Sequence, residues 1–517
     1  MSVNFKTTIL ALVALTLAVV GAEASNRRDN VEIPIVSGER WWGVVAGEGR
    51  VTLPFEGGFV INTSELAANT FRANHLLSNR GRYLHSEKPV TVSYDGTKLI
   101  VTPAEGQQVE LEKAGRSLRE SYIMNYHKYL ADSTTVNCSD FLFTAPIYEL
   151  GGDDALLYTQ QDVLDFAARL ERLGMPKGTI LLPIGWHTPS GTLTFDAVAY
   201  PDPEMMIEKL HAEGMGVMLT VSPYIMAAGR NYQRCRKEGQ LLTNAKGEPI
   251  VFQSRLGYTA CRSLCSECVE EMNTSLRRLQ KEYGVDGFYF DMLDATSLLG
   301  DDLARVEKYL EAWHSVSEGI SEAVYSSPLG EPDNGLCCSV STTRRYSWQE
   351  LERSVARSIN ASLLGYPRTL FAAGIDFGGD RELVMRAAQC AALMPIAIIP
   401  YAVWGLEDLE PLKDVLLWRE ENRDYISALV AQCASTAEPI VRHLEYEFPR
   451  KGFTNCDDQY MFGERWLVAP PVGKGATRMV RLPKGSWREW GSDRVHRGPR
   501  VIDLEVADGK VAIFHRE

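Results

Sequence analysis

Strand-like and helix-like segments alternate along the chain between residues 138 and 404, and this pattern limits the possible folds more than any other feature. The helix-like segment "TQQDVLDFAARLERLG" places its apolar residues, from Val163 to Leu170, at the spacing of an amphipathic helix. Short apolar runs such as "GTILLPIGW" and "GVMLTVSPYI" lie between such helices. This alternation predicts a parallel sheet with crossover helices and favours a (β/α)8 TIM barrel. A doubly wound sheet is the alternative, but no Gly-rich phosphate-binding loop follows the first strand, so nucleotide binding is not expected.

β-rich segments lie on both sides of this alternating region. Residues 31–110 contain short apolar runs such as "KPVTVSYDG", separated by Gly, Pro and Asp-Gly turns, which predict a β-sandwich. After residue 455 the chain returns to runs of this kind, as in "QYMFGERWLVAPPV". We therefore predict an α/β protein in four parts: a signal peptide at 1–24, an N-terminal β-sandwich domain at 25–130, the barrel at 131–450 and a C-terminal β-sandwich domain at 451–517.

The N-terminus has the pattern of a secretory signal. Lys6 precedes the apolar run "TILALVALTLAVVGA", and Ala22-Glu23-Ala24 before Ser25 forms a small-residue cleavage site. A retained membrane anchor is the competing interpretation, although the run is short for a span, and no later segment reaches the ~20 apolar residues that a span requires. We expect a secreted or periplasmic protein with no integral membrane span after the signal is removed.

Composition excludes one class of partner and leaves the state of the cysteines open. A formal net charge of −13 argues against a nucleic-acid-binding protein, which would present a basic face. Ten cysteines permit disulfides in an oxidising compartment, although their pairing does not follow from sequence. The run "CRSLCSEC" at 261–268 lacks the second CxxC or spaced His pair of a metal site, so disulfides or buried thiols are favoured and no metal is expected. The oligomeric state does not follow from the sequence.

Functional side chains in a parallel barrel gather at the carboxyl ends of the strands, where the loops that lead into the helices converge. Several of the predicted strands end in aromatic rings, carboxylates or arginines. Sugar C–H faces stack on rings, and sugar hydroxyls need carboxylate and guanidinium partners, so this mixture predicts a carbohydrate pocket. The candidates are Trp186, His187, Tyr224, Asp291, Asp294, Arg344, Arg345 and Asp376.

Structural roles compete with substrate binding at several of these positions. The stretch "GVDGFYFDMLDATS" ends a strand on Asp291, where a carboxylate has no packing purpose, so a functional role is favoured there. Asp294 is also placed to cap the following helix. Asp376 precedes Phe377-Gly378-Gly379, where a carboxylate can equally hold a tight backbone turn.

Several stretches together resemble glycoside hydrolase family 31. "EYGVDGFYFDMLDA" is similar to that family's nucleophile strand, and "ASLLGYP" with "AAGIDFGGD" is similar to the later strand that carries an Asp-Ile-Gly-Gly motif. "SNRGRYLHSEKPVTV" resembles the family's N-terminal β-sandwich, and "DDQYMFGERWLVAPPV" resembles the start of its C-terminal sheet domain. The resemblance covers nearly the whole mature chain, with the segments in the family's order.

This resemblance implies a retaining, exo-acting α-glycosidase that cleaves a terminal α-linked sugar from an oligosaccharide or glycoside. One carboxylate attacks the anomeric carbon to give a covalent glycosyl-enzyme, and a second protonates the leaving oxygen and later activates water. By position the nucleophile is Asp291. The chemistry requires only carboxylates and water, so no cofactor is implied.

The second carboxylate is missing from the position where the family has it. In the family an Asp precedes a Trp by a few residues, whereas residues 341–347 before Trp348 contain no acid. Asp333, Glu331 and Glu350 are nearby candidates for a displaced acid. The second explanation is a substrate that has a good or unusual leaving group, or that itself carries an acid. The third is a catalytically lapsed protein that binds a glycan on the glycosidase scaffold.

Two further departures from the family concern substrate recognition. Arg344 and Arg345 stand where the family has its acid, and two guanidinium groups would suit an anionic sugar such as a uronate. The alternative is that one or both point to solvent or pair with Glu350 or Glu352. The second barrel strand ends in "LLPIGWHTPSG", which keeps Trp186 but lacks the Asp pair that many members have.

Overall fold

The computed structural model describes residues 30–46, 53–66, 70–130, 139–152, 156–187, 191–254, 257–291, 299, 303–325, 336–340, 345–368, 370–373 and 376–517. The predicted signal peptide at 1–24 lies outside the described residues, as do Asp294 and Arg344.

Two antiparallel four-stranded sheets form the N-terminal part of the protein. Their strands are β1 (Val31–Pro34), β2 (Trp41–Val45), β3 (Phe59–Asn62), β4 (Arg72–Ser78), β5 (Arg82–His85), β6 (Val90–Tyr94), β7 (Lys98–Pro103) and β8 (Leu111–Lys113), in the orders β1-β7-β6-β3 and β2-β4-β5-β8. Successive side chains on a strand point to opposite faces, so on β7 Leu99 and Val101 are fully buried while their neighbours are not. These apolar faces pack into one core, and helix α1 (Leu118–Tyr129) adds Tyr122 to it.

The middle of the chain forms the barrel sheet and a small additional sheet. Its strands are β9 (Ile147–Glu149), β10 (Thr179–Leu182), β11 (Gly216–Val221), β12 (Tyr224–Met226), β13 (Val251–Ser254), β14 (Gly257–Cys261), β15 (Gly287–Phe290), β16 (Ala323–Tyr325), β17 (Leu336–Val340), β18 (Leu370–Ala372) and β19 (Ile398–Ile399). Eight of them pair in parallel in the order β18-β17-β16-β15-β11-β10-β9-β19. β12, β14 and β13 form the separate antiparallel sheet.

Helices alternate with the barrel strands, and further helices contact the small sheet and the C-terminal sheet. They are α2 (Asp140–Thr144), α3 (Gln160–Arg172), α4 (Pro203–Ala212), α5 (Arg230–Lys237), α6 (Ser266–Tyr283), α7 (Leu303–Ser315), α8 (Trp348–Leu363), α9 (Arg381–Ala392), α10 (Glu410–Glu421), α11 (Arg423–Thr436) and α12 (Leu444–Glu447). α3 shows why these segments fold as they do. Thr159 and Asp162 form a reciprocal capping box at its start, and the apolar face predicted from Val163 to Leu170 is buried against the sheet.

One six-stranded antiparallel sheet forms the C-terminal part. Its strands are β20 (Val441–Arg442), β21 (Tyr460–Phe462), β22 (Trp466–Ala469), β23 (Thr477–Glu489), β24 (Val495–Glu505) and β25 (Ala512–Arg516), in the order β20-β21-β22-β25-β23-β24. β20 belongs to this sheet through its pairing with β21, although it precedes the predicted boundary at 451. The predicted fold class, a (β/α)8 barrel between two sheet domains, is confirmed.

The cysteines whose side chains the structure describes are thiols, and most are buried. They are Cys235, Cys261, Cys265, Cys268, Cys390, Cys433 and Cys456, of which Cys265 alone has intermediate exposure. The Sγ atoms of Cys265 and Cys268 lie 3.0 Å apart at the start of α6. Over the same described ranges, no helix is long and apolar enough to cross a membrane.

Two buried histidines lie where the N-terminal sheets meet the rest of the protein. His75 on β4 donates from Nε2 to the Leu363 carbonyl, 3.1 Å away, at the end of α8. Burial and then the charge of His85 lower the pKa of His75 to about 3. Nδ1 of His443 accepts a hydrogen bond from the Glu445 N–H at 3.0 Å, and burial lowers the His443 pKa to about 4. Both rings are therefore neutral in the folded protein near neutral pH.

We expect these histidines to make the folded protein sensitive to acid. In the unfolded chain a histidine titrates near pH 6.5. Below that pH the unfolded chain binds protons that the folded protein does not. The free energy of unfolding therefore falls as the pH decreases toward the lowered pKa values of the two histidines in the folded protein. In His443→Asn the amide oxygen can still accept the Glu445 N–H, but the group does not titrate. The free energy of unfolding of the parent should therefore fall relative to this variant by up to about 1.4 kcal/mol per pH unit between pH 6 and pH 4. Urea unfolding at each pH measures the difference, and a constant difference would contradict the prediction.

Candidate active site at the barrel mouth

Asp291 follows the last residue of β15 and lies at the carboxyl end of the barrel sheet. Its N–H donates to the Val221 carbonyl at 2.8 Å, which continues the pairing of β15 with β11. The preceding residue, Phe290, points outward, because its ring packs against Trp313 of α7 with centroids 5.5 Å apart. Since side chains alternate along a strand, Asp291 is on the inner side, and its side chain is exposed at the mouth.

Glu149 is a second carboxyl at the same end of the barrel, and it is not among the candidates predicted from the sequence. It is the last residue of β9 and is partly exposed. Its Oε2 accepts a hydrogen bond from the Tyr401 N–H at 3.1 Å. Burial raises the pKa of Glu149 to about 7, the Tyr401 N–H acts in the opposite direction, and the negative charge of Asp291 raises the pKa further. The signal that identified Asp291, an acid at the end of an apolar strand, is also present in "APIYEL".

Trp186 and His187 lie below the surface of the mouth. Trp186 is fully buried in the short turn Ile184–Trp186, and its indole N–H donates to the Thr220 carbonyl at 2.7 Å. The His187 ring packs edge-on against it, with centroids 4.9 Å apart, and is also buried. The predicted stacking of a sugar on Trp186 is not supported by this position, because no face of the indole is open to a ligand.

Tyr224 is buried at the start of β12. Its ring contacts Phe252 of β13 edge-on, with centroids 5.6 Å apart, and its backbone pairs with Cys261 of β14. Tyr224 therefore lies where the small antiparallel sheet follows the barrel strand β11. A contact between Tyr224 and a substrate stays a prediction.

Arg345 and Asp376 are brought together at the exposed edge of the site. Their backbones form an isolated parallel bridge, and the Tyr346 N–H donates to the Asp376 carbonyl at 2.6 Å. The Asp376 carboxylate accepts the Gly378 N–H at 2.8 Å, which is the turn-holding role that competed with substrate contact. Both side chains are exposed. A Cβ on Gly378, whose φ is +59°, would lie 3.0 Å from Nη2 of Arg345, so glycine leaves room for that guanidinium.

The sequence suggested three acids that could replace the missing one. Of these the structure describes Glu350, and its carboxylate does not face Asp291. Glu350 is buried at the start of α8, where its carboxylate pairs with Arg357 at 3.3 Å. Asp333 and Glu331 lie outside the described residues. In the described part of the chain there is also no cluster of His, Cys, Asp and Glu side chains that would hold a metal ion.

Comparison with known proteins assigns the family. The family model described as the glycosyl hydrolases family 31 TIM-barrel domain matches residues 145–318, and the model of the family 31 C-terminal domain matches residues 437–517. The chain is a divergent member of glycoside hydrolase family 31. The matched part of this family 31 barrel contains both Glu149 and Asp291 and ends before residues 341–347, where the sequence has no acid.

Relatives and solved structures agree with this assignment. An alpha-glucosidase of Saccharolobus solfataricus is 21% identical over 67% of this chain and 59% of its own length, and the myogenesis-regulating glycosidase of Mus musculus is 24% identical over 80% of this chain and 62% of its own length. The chain thus spans less than two thirds of these curated relatives. The crystal structure of a GH31 alpha-xylosidase from a soil metagenome, complexed with xylose, has the same fold, with a TM-score of 0.76 and 18% identity over 94% of this chain and 79% of that chain.

Proposed function

We propose that this family 31 protein is a retaining, exo-acting α-glycoside hydrolase that removes a terminal α-linked sugar. The observation that carries the proposal is the exposed carboxylate of Asp291 on the inner side of the barrel, directly after β15. This is the end of a parallel barrel at which catalytic side chains gather. The curated relatives named above are glycosidases, which supports the same reaction class.

Asp291 acts as the nucleophile in this proposal. Its carboxylate attacks the anomeric carbon as the bond to the leaving oxygen breaks, and the resulting glycosyl-enzyme is then hydrolysed by water. The leaving oxygen takes a proton from a second carboxyl, which lies about 5–5.5 Å from the nucleophile in retaining enzymes. The product sugar keeps the configuration of the substrate because two displacements occur at the same carbon.

A glycan-binding protein that has lost hydrolysis is the second candidate, and one observation favours it. Residues 341–347 contain no acid, and Glu350, the described candidate closest to them in sequence, is already paired with Arg357. Loss of a general acid slows hydrolysis by about 10²–10⁴-fold, which substrates with poor leaving groups would show most strongly.

The test is a panel of aryl α-glycosides that differ in sugar, with uronates included because the exposed Arg345 follows the barrel strand β17. We expect at least one to be hydrolysed, and NMR of the first-formed sugar to show the α anomer. Asp291→Asn, purified in the same way, controls for contaminating glycosidases. If no glycoside is cleaved faster by the parent than by this variant, the hydrolase proposal is wrong, and glycan-array binding that survives the substitution would favour the binding protein.

A further inference from the structure

Glu149 lies at the same end of the barrel as Asp291 and could supply the proton that residues 341–347, which contain no acid, cannot supply. It ends β9, as Asp291 follows the end of β15, and the two strands are separated in the sheet by β10 and β11. The residue before Glu149, Tyr148, points outward, because its ring packs against Trp404 at 5.7 Å and its hydroxyl donates to the Pro176 carbonyl. By alternation Glu149 points to the inside of the barrel. A sugar lying over the mouth between β9 and β15 would meet the two carboxyls from different sides.

The surroundings of Glu149 hold its carboxyl in position without pairing it with a cation. The Tyr401 N–H at 3.1 Å binds Oε2, and the Trp404 indole N–H donates to the Glu149 carbonyl at 2.9 Å, so both the side chain and its backbone are anchored to the turn that follows β19. Within the described ranges, no Lys or Arg is paired with this carboxyl, and Asp291 is the charged group that acts on it. A carboxyl placed in this way favours its protonated form.

We propose that Glu149 is the acid/base residue of this protein, in place of the Asp that the family carries near residue 341. This inference rests on the proposed hydrolase function. In the first step the Glu149 O–H gives its proton to the glycosidic oxygen while the C–O bond breaks and Asp291 bonds to the anomeric carbon. In the second step the Glu149 carboxylate takes a proton from the water that attacks that carbon, which releases Asp291 and restores the acid.

The division of roles between the two carboxyls follows from their environments. Burial and the neighbouring charge of Asp291 both raise the Glu149 pKa, to about 7, so Glu149 holds a proton below neutral pH. Asp291, by contrast, is exposed to solvent at the mouth. Two carboxyls whose environments differ in this way can serve as acid and nucleophile in one site.

The decisive experiment compares Glu149→Gln with the parent on substrates of different leaving-group ability. Gln has the shape of Glu and can still accept the Tyr401 N–H, but it has no proton to give. We expect kcat/KM to fall about 10²–10⁴-fold for an alkyl α-glycoside and less than about 10-fold for the matching α-glycosyl fluoride, which needs no acid to leave. Equal losses on both substrates, or a change confined to KM, would mean that Glu149 only binds or positions the sugar and would overturn the proposal.

A pH profile of the parent gives a second readout that needs no variant. Since the raised pKa means that Glu149 is protonated below about pH 7, kcat/KM for the alkyl glycoside should decline as pH rises through that value, and the decline should be absent in Glu149→Gln. A decline that persists in the variant would also contradict the assignment.

Glu322→Gln is the matched control. Glu322 precedes β16 at the amino end of the same sheet, and burial together with the charge of Asp286 raises its pKa, so it has the same electrostatic character far from the mouth. Its substitution should leave the ratio between the two substrates unchanged. Hydrolysis of the glycosyl fluoride by the parent separates the two proposals: if the parent cleaves neither substrate, the hydrolase function fails, and if it cleaves both but Glu149→Gln behaves as the parent, only the Glu149 assignment fails.

Discussion

Asp291→Asn should hydrolyse aryl α-glycosides more than about 10⁴-fold more slowly than the parent protein, because it removes the group that bonds to the anomeric carbon. Asn keeps the size and polarity of the side chain, and the backbone bond from residue 291 to the Val221 carbonyl is unaffected. The thermal unfolding midpoint should therefore stay close to that of the parent. Initial rates on the best glycoside from the panel measure the effect.

A chemical test distinguishes the nucleophile from a residue that merely binds sugar. Asp291→Gly leaves space beside the anomeric carbon, and added azide should occupy it and give the β-glycosyl azide, with inverted configuration. Asp503→Asn, an exposed carboxylate on β24, is the control and should retain full activity. A loss of less than about 10-fold in Asp291→Asn would rule out the nucleophile role, since a missing covalent step cannot be that mild.

Arg419→Met should lower the free energy of unfolding by more than about 3 kcal/mol. The substitution removes the donors of a buried guanidinium and leaves the buried carbonyls that accept from it without partners. Arg419 lies on α10 and is fully buried. Its guanidinium donates to the carbonyls of Met394 at 2.7 Å and Ala392 at 3.3 Å, and also to those of Phe143 and Pro395. Burial lowers its pKa to about 9, so it is still charged at neutral pH.

The position of these carbonyls explains the size of the effect. Residues 392–395 lead into β19, and Phe143 shortly precedes β9, so one side chain ties together the amino ends of two neighbouring barrel strands. Arg423→Met is the matched control on the next helix. Arg423 makes an exposed ion pair to Glu420 at 3.7 Å, and the loss of that pair should cost less than about 1 kcal/mol. Urea midpoints that coincide for the two variants would refute the role of Arg419.

The predicted fold and one catalytic candidate followed from local patterns. The spacing from Val163 to Leu170 predicted a helix that the structure contains, and the alternation of such helices with apolar runs predicted the barrel. Asp291 became a candidate because an acid ended a buried strand, and the rule that parallel barrels carry function at the carboxyl ends of their strands then indicated where a site would lie.

The same reasoning assigned Trp186 to the pocket, where its position does not support it. An aromatic residue after a strand end has the same sequence signal whether its ring faces a ligand or the core. Here the turn Ile184–Trp186 directs the indole inward to the Thr220 carbonyl. The direction of an aromatic ring after a strand depends on the conformation of the turn and on the hydrogen-bond partner that the fold brings near it. Neither follows from the few residues around the strand end.

The amino-acid sequence by itself determined the order of strands and helices, the barrel class and the candidacy of Asp291, because hydrophobic periodicity and strand ends are properties of neighbouring residues. Only the tertiary structure decided that Glu149 lies on the inner side of the same mouth and within the field of Asp291. Burial and electrostatic fields depend on groups that are close in space, and the barrel brings together β9 and β15, which are far apart along the chain. Glu149, the residue proposed to replace the acid absent from residues 341–347, is visible in "APIYEL", but its surroundings exist only after folding.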